Sequence, residues 1–301
     1  MAHAERRLSE NAAGEWFVDD SCIDCGACRQ IAPATFSASA QGYSFVARQP
    51  QGEAALERAA MGLVACPTSS IGGGGASLVR RAAAAFPERV ELSCDDVWYC
   101  GYHAPSSYGA ASYLIRRPSG NVLVDSPRAA KPLLRRLEEL GGVRTMFLTH
   151  RDDVAFHQVF HDHFGCERIL HEADVSSGTR GVERKLSGAE PIALADDLVV
   201  IPVPGHTRGS AALLFRDEYL FSGDHLSWSS DGAALDAHPR VCWYSWSEQV
   251  RSVEKLLAHR FRWLLPGHGE PLRAESAEAM GAMVRQWLAA NAKNGVSARR
   301  G

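Results

Sequence analysis

The chain has 301 residues, 46% of them hydrophobic and 22% charged, and its 32 basic and 35 acidic side chains leave a net charge of −3. That balance argues against a surface built for nucleic-acid phosphates or an anionic membrane. No apolar run reaches the roughly 20 residues of a spanning helix, so a soluble protein of about two domains is expected.

Residues 1–15 read as an N-terminal tail without the apolar core of a secretory signal. Next comes Cys22-Ile-Asp-Cys25-Gly-Ala-Cys28, three thiols at steps of three, with a fourth at Cys66-Pro67. Between them, residues 53–65 carry apolar Leu56, Ala60, Leu63 and Val64 at helical spacing, and such a helix delivers Cys66. Thiolates are soft donors suited to iron–sulfur chemistry, although cysteines at these spacings also serve zinc or pair as disulfides. Position 32 is alanine where two-cluster sequences place the cysteine that ligates the other cluster, which argues for a single cluster. The stretch from Trp16 to Ile71 resembles a single-cluster bacterial-type ferredoxin. The resemblance implies one 4Fe-4S cluster held by Cys22, Cys25, Cys28 and Cys66.

Gly72-Gly-Gly-Gly75 closes this ferredoxin-like domain, placed at 16–75, and residues 76–94 read as a linker with a short helix over 77–89. A second domain is placed at 95–292, with a tail at 293–301. Its short apolar runs predict strands at 112–116, 121–125, 145–148, 168–170, 198–203, 211–215, 219–221 and 263–265. Helices are expected at 131–140, 156–164, 247–259 and 274–292. Cys94, Cys100, Cys166 and Cys242 lack ligand spacing and read as small buried side chains. With four of eight cysteines assigned to a cluster, a reducing cytoplasm is expected.

Four of the predicted strands run into Thr-His150, Pro-Gly-His206, Ser-Gly-Asp224 and Pro-Gly-His268. Loops at strand ends are where a rigid scaffold presents metal ligands, and imidazole and carboxylate suit zinc, iron or manganese. With Ser112-Tyr-Leu-Ile, Asn121-Val-Leu-Val-Asp125 and Pro204-Gly-His-Thr-Arg-Gly-Ser210, these motifs resemble the metallo-β-lactamase superfamily, in its glyoxalase II-like branch. The resemblance implies an α+β chain whose second domain is an αββα sandwich with a metal site along one edge. It also implies His206 as a ligand, Asp224 as a bridging or terminal carboxylate and His268 as a ligand of a second metal position.

The first metal motif departs from the family. Where that family has His-x-His-x-Asp-His, this chain has His150-Arg-Asp152-Asp153-Val-Ala155. Asp152 stands at the second histidine, and His157, two residues past the motif, is a candidate substitute. The candidate metal set is therefore His150, Asp152, His157, His206, Asp224 and His268, with Asp152 or Asp153 as the candidate catalytic base.

His157, His161 and His163 share one predicted helix and read equally as a solvated polar face. His103 and Tyr108 sit on a loop that suits a cleft wall. Trp228, Trp243, Tyr244 and Trp246 suit either a pocket wall or core packing. Two functions from different classes follow. One is hydrolysis of a small activated carbonyl (thioester, ester or lactone) by a water made acidic by one or two metal ions. The other is an oxidoreductase in which the cluster passes electrons to a nonhaem iron centre, with a non-enzymatic iron–sulfur sensor as a third reading. The expected partners are a small-molecule substrate and a redox partner for the cluster, with oligomeric state left open.

Overall fold

The computed structural model describes residues 2–229 and 234–291. The chain divides into two compact units, one over Met1–Met146 and Ala155–Cys166, the other over Phe147–Val154 and Glu167–Gly301.

In the first unit the four cysteines sit on a small frame. Phe17–Val18 pairs antiparallel with Ile71–Gly72, and Phe36–Ala38 forms a hairpin with Ser44–Val46. Gly26 takes a left-handed conformation, φ 79°, directly after Cys25, and this starts the short helix Ala27–Ile31 that carries Cys28. The helix Glu53–Ala65 buries Ala59, Ala60, Met61, Gly62, Val64 and Ala65 and runs into Cys66, where Pro67 prevents it from continuing. A Cβ on Gly62 would lie 3.2 Å from the Phe36 ring and 3.4 Å from Cys28 Cβ, so glycine permits the close approach of this helix to Cys28.

The segment expected to link the domains is structured. Helix Ala76–Ala85 packs on Glu53–Ala65, and Glu88–Arg89 is an edge strand against Val97–Tyr99. Its anchor is Phe86, fully buried with its ring 5.9 Å from Tyr99 and 5.8 Å from Tyr102. Antiparallel pairing continues from Val97–Tyr99 to Tyr113–Ile115 and on to Val122–Val124. Helix Lys131–Glu139 buries Leu133 and Leu137, one turn apart.

The second unit is built on a six-stranded sheet ordered Ile192–Ala195, Leu198–Pro202, Ala211–Phe215, Tyr219–Gly223, Trp263–Pro266 and Leu272–Arg273. Every pairing is antiparallel except that of Tyr219–Gly223 with Trp263–Pro266. Those two parallel strands are joined across helix Trp246–Lys255, whose first turn is capped by the Ser245 hydroxyl accepting from Glu248 N. This helix and Ala277–Asn291 cover the sheet through Val253, Met280, Val284 and Trp287, which pack on Leu214, Leu220 and Leu264. The predicted helix over 247–259 ends earlier, at Lys255, and tightens into a 3-10 turn over Leu256–Ala258. Residue 292 and the tail 293–301 lie outside the described residues.

Parallel strands end on the same edge, and the register Phe221↔Leu265 with Gly223↔Pro266 therefore sets the Gly-Asp224 and Pro-Gly-His268 turns side by side. Thr149 O accepts from Ala211 N, which brings His150 to the start of the strand that follows the His206 loop.

Candidate metal centre and cluster pocket

In the first unit Cys22, Cys25, Cys28 and Cys66 line one pocket, walled by Val18, Ile23 and Ile71 and edged by Ser44, Thr68 and Ser70. Cys28 and Cys66 are buried, and Cys22 and Cys25 half-buried. Cys66 Sγ accepts from Ser70 N at 3.3 Å. Burial, reinforced by the neighbouring thiols, pushes Cys25 and Cys28 up to about 12. Burial thus disfavours the thiolates of Cys25 and Cys28 in the absence of a cation, and four thiols collected in one apolar pocket are the donor set a cluster requires.

In the second unit six side chains converge. Asp224 Oδ2 lies 3.6 Å from Nε2 of both His150 and His206. Asp152 Oδ2 is 3.4 Å from His206 Nε2 and 4.0 Å from His150 Nε2, and Asp153 Oδ2 is 3.9 Å from His150 Nε2. His268 Nδ1 approaches the two Asp224 oxygens at 2.8 and 2.9 Å. His150, Asp153 and His206 are buried, whereas the Asp152 side chain is 42% exposed and opens the site to solvent.

Among the described residues, Nε2 of His150 and of His206 are enclosed and have no hydrogen-bond partner. An Nδ1–H of His150 donated to Thr149 Oγ1, 3.0 Å away, leaves its Nε2 lone pair facing the carboxylates. Burial lowers His150 to about 4, keeping the imidazole neutral and able to bind a metal. Burial opposes ionisation of Asp224, but His268 beside both its oxygens outweighs it and holds this carboxyl far below its ordinary range. Asp152 is also lowered, first by its interaction with His206. Two enclosed imidazole Nε2 atoms facing the carboxylates of Asp152 and Asp224 fit a bound cation. Two overlapping sets, His150–Asp152–His206 and His150–Asp153–Asp224, each bring their donor atoms within 4.8 Å of one another.

Glycine makes this convergence possible. Gly223 has φ +53°, and a Cβ there would sit 2.4 Å from Thr149 Oγ1. A Cβ on Gly267 would stand 2.8 Å from both Asp153 Oδ2 and Asp224 Oδ1.

His157 opens the helix His157–Phe164 of the first unit and is not among the side chains gathered in the second. On the same helix, His161 Nδ1 bonds Cys166 O at 2.9 Å and His163 Nε2 meets Glu138 Oε1 at 2.7 Å, which accounts for both as polar contacts. His103 and Tyr108 lie beside the cysteines. His103 is buried between the Tyr99 hydroxyl and Gly109 O, and a Cβ on Gly109 would meet Cys25 Cβ at 2.5 Å. Trp228 and Trp246 pack against the core. Trp243 and Tyr244 are 60% and 48% exposed, with both backbone N–H groups donated to His206 O and the Trp243 ring 6.3 Å from that of His206.

Asp174 and Gln249 had no visible signal in the sequence, whereas His225 belongs to the Ser222-Gly-Asp224-His225 motif of the resemblance. Asp174, 1% exposed, accepts from Arg151 N, Thr207 Oγ1 and Gly209 N, tying the His150 loop to the His206 loop. Gln249, fully buried, donates to His225 O and Ala237 O, and Gly205 lies directly against it. His225 is buried beside Asp224, and burial lowers it to about 3.

Residues 18–73 match the family described as the 4Fe-4S single cluster domain of Ferredoxin I. Among solved structures, the DIM-1 metallo-beta-lactamase aligns with a TM-score of 0.51 at 14% identity, over 66% of this chain and 97% of that one. VMB-1 gives 0.50 at 16% identity, again over 66% and 97%. The chain joins a ferredoxin-type cluster domain to a metallo-β-lactamase fold. In sequence, the chain is similar over part of its length to hydroxyacylglutathione hydrolases. That of Fuscovulum blasticum is 34% identical over 130 residues, 42% of this chain and 51% of that protein. That of Synechococcus sp. (strain JA-2-3B'a(2-13)) is 33% identical over 141 residues, 42% and 53%. The match thus spans about half the length of these curated relatives. Among the described residues no helix is long and apolar enough to cross a membrane.

Proposed function

We propose that the metallo-β-lactamase-fold part is a metal-dependent hydrolase of a small activated carbonyl compound, a thioester, ester or lactone, and that Cys22, Cys25, Cys28 and Cys66 hold one 4Fe-4S cluster. The observation that carries the hydrolase reading is the pair of enclosed Nε2 atoms of His150 and His206, without hydrogen bonds and facing Asp152 and Asp224. A divalent cation held there supplies Lewis acidity and makes water a competent nucleophile near neutral pH. His150, His206 and Asp224 are assigned as its ligands, with Asp152 adding a donor beside His206 and Asp153 and His268 adding donors beside Asp224. Asp152, half-exposed and kept ionised by His206, accepts the proton of the attacking water. Trp243 and Tyr244 give the substrate an apolar rest beside His206. Similarity to hydroxyacylglutathione hydrolases makes the thioester the first substrate class to test.

A second reading is favoured by the donor set itself, in which carboxylates are as numerous as imidazoles. Such a set suits iron or manganese as well as zinc and thus accommodates a redox centre served by the cluster.

The test is hydrolysis of a hydroxyacyl thioester of glutathione, an alkyl ester and a lactone by protein loaded in turn with zinc, iron or manganese, with His206→Ala as control. Turnover lost in that variant supports the hydrolase. No turnover with any metal, together with iron in excess of sulfide in the purified protein, replaces it with the oxidoreductase.

A further inference from the structure

Arg128 follows the strand Val122–Val124 and lies outside the residues that match the cluster-domain family. Its backbone N donates to Tyr102 O at 2.7 Å, and its guanidinium carbon stands 5.7 Å from the centre of the Tyr102 ring. Nη2 donates to Val64 O at 2.7 Å, two residues before Cys66. Among the described residues Nε is enclosed without a hydrogen-bond partner, and no carboxylate forms an ion pair with Arg128. Burial lowers Arg128, and Cys66 is the strongest charge opposing that effect. A half-buried guanidinium is stabilised by an anion, and with no carboxylate ion-paired to Arg128 among the described residues the nearest anion on offer is a thiolate at Cys66.

We propose that Arg128 is the counter-cation of the cluster and raises its reduction potential. Four thiolates leave the oxidised cluster site negative, and reduction by one electron makes it more negative still, with no bond made or broken. A fixed cation close to Cys66 stabilises the reduced form more than the oxidised one. The potential is thereby set by a residue from outside the cluster domain, so the fold that follows the cluster domain in sequence takes part in its redox chemistry. The inference rests on Cys66 as a cluster ligand, and iron and sulfide measured on the same samples distinguish failure of that assignment from failure of the inference.

The test is a dithionite titration of the full chain, followed by the electron paramagnetic resonance of the reduced cluster, in wild type, Arg128→Gln and Arg128→Lys. Glutamine keeps a donor for Val64 O without the charge, and lysine keeps the charge. With iron and sulfide at wild-type levels, Arg128→Gln is expected to shift the ratio of reduced to oxidised cluster at a given potential about tenfold toward oxidised. That corresponds to about 59 mV lower for a one-electron couple. Arg128→Lys is expected to stay close to wild type. Loading of the lysine variant but not the glutamine variant also supports a role for the charge. An unchanged potential in Arg128→Gln, or failure of both variants to hold the cluster, overturns the inference and leaves Arg128 as a cap on the end of its neighbouring helix.

Discussion

Asp174→Asn tests how the loops carrying His150 and His206, the candidate metal ligands, are held. The native carboxylate accepts from Gly209 N at 2.7 Å through Oδ1, and from Arg151 N at 3.0 Å and Thr207 Oγ1 at 2.5 Å through Oδ2. Asparagine fits the same space and its carbonyl still serves Gly209, but its amide nitrogen then faces Arg151 N–H, donor against donor. Thr207 can turn to Ser210 Oγ, 2.7 Å away. The loss is one buried backbone donor, about 1–3 kcal/mol, and Asp174→Ala, which orphans both backbone donors, costs roughly twice as much. Arg151 adjoins His150 and Thr207 adjoins His206, so loosened loops also move the metal-facing nitrogens, and metal affinity is expected to fall on the order of tenfold. Metal titration and amide exchange at Arg151 and Gly209 read the two effects separately. Wild-type affinity together with wild-type exchange in Asp174→Asn would refute the reasoning, because the carboxylate would then hold nothing.

Glu183 takes two hydrogen bonds from the Arg168 guanidinium and one from its backbone N, and chiefly the guanidinium holds its carboxyl down at about 2. Since the unfolded carboxyl titrates near 4.5, this contribution is complete above that pH and disappears as pH falls toward 2. Glu183→Gln is therefore expected to flatten the acid side of a Tm–pH curve over that window, modestly because the side chain is partly exposed, and an unaltered acid side counts against the pairing. Gly109→Ala adds a Cβ 2.5 Å from Cys25 Cβ at φ +81°, so iron and sulfide per chain should drop, and full loading would show that the loop yields freely. Cys25→Ser should abolish the visible absorption of the cluster, while His206→Ala should remove the other metal and leave that absorption intact. Loss of the cluster in His206→Ala would contradict the assignment of the two metal groups to separate residues.

The candidate metal centre was legible where short polar motifs end apolar runs, because Pro-Gly-His and Ser-Gly-Asp state both the turn and a possible donor. What brings Asp224 and His268 together is the parallel pairing of strands about forty residues apart, which local periodicity does not encode. The same limit hid Asp174, whose partners at 151, 207 and 209 become its partners only in the folded chain. Strands of two or three residues, such as Phe17–Val18 and Glu88–Arg89, are too short for alternation to register. Residues 76–94 looked like a linker because they follow four glycines and are rich in alanine, although Phe86 was there to anchor them. The cysteine motif was legible almost completely, since its spacing is itself the geometry of one loop around one cluster.

The departure at positions 150–155 changes the charge of the centre as well as its shape. The family pattern it resembles supplies His-x-His-x-Asp-His, and this chain supplies one imidazole there with Asp152 and Asp153. With Asp224, three carboxylates and the three imidazoles of His150, His206 and His268 now converge, and no thiol joins them among the described residues. Oxygen donors favour harder cations, so the preference should move from zinc toward iron and manganese. Asp152→His tests this directly: it removes one negative charge, restores the imidazole and should move the metal retained from an equimolar mixture toward zinc. Unchanged metal selectivity in that variant would mean that Asp152 lies outside the coordination sphere, leaving its exposed carboxylate solely as the proton acceptor.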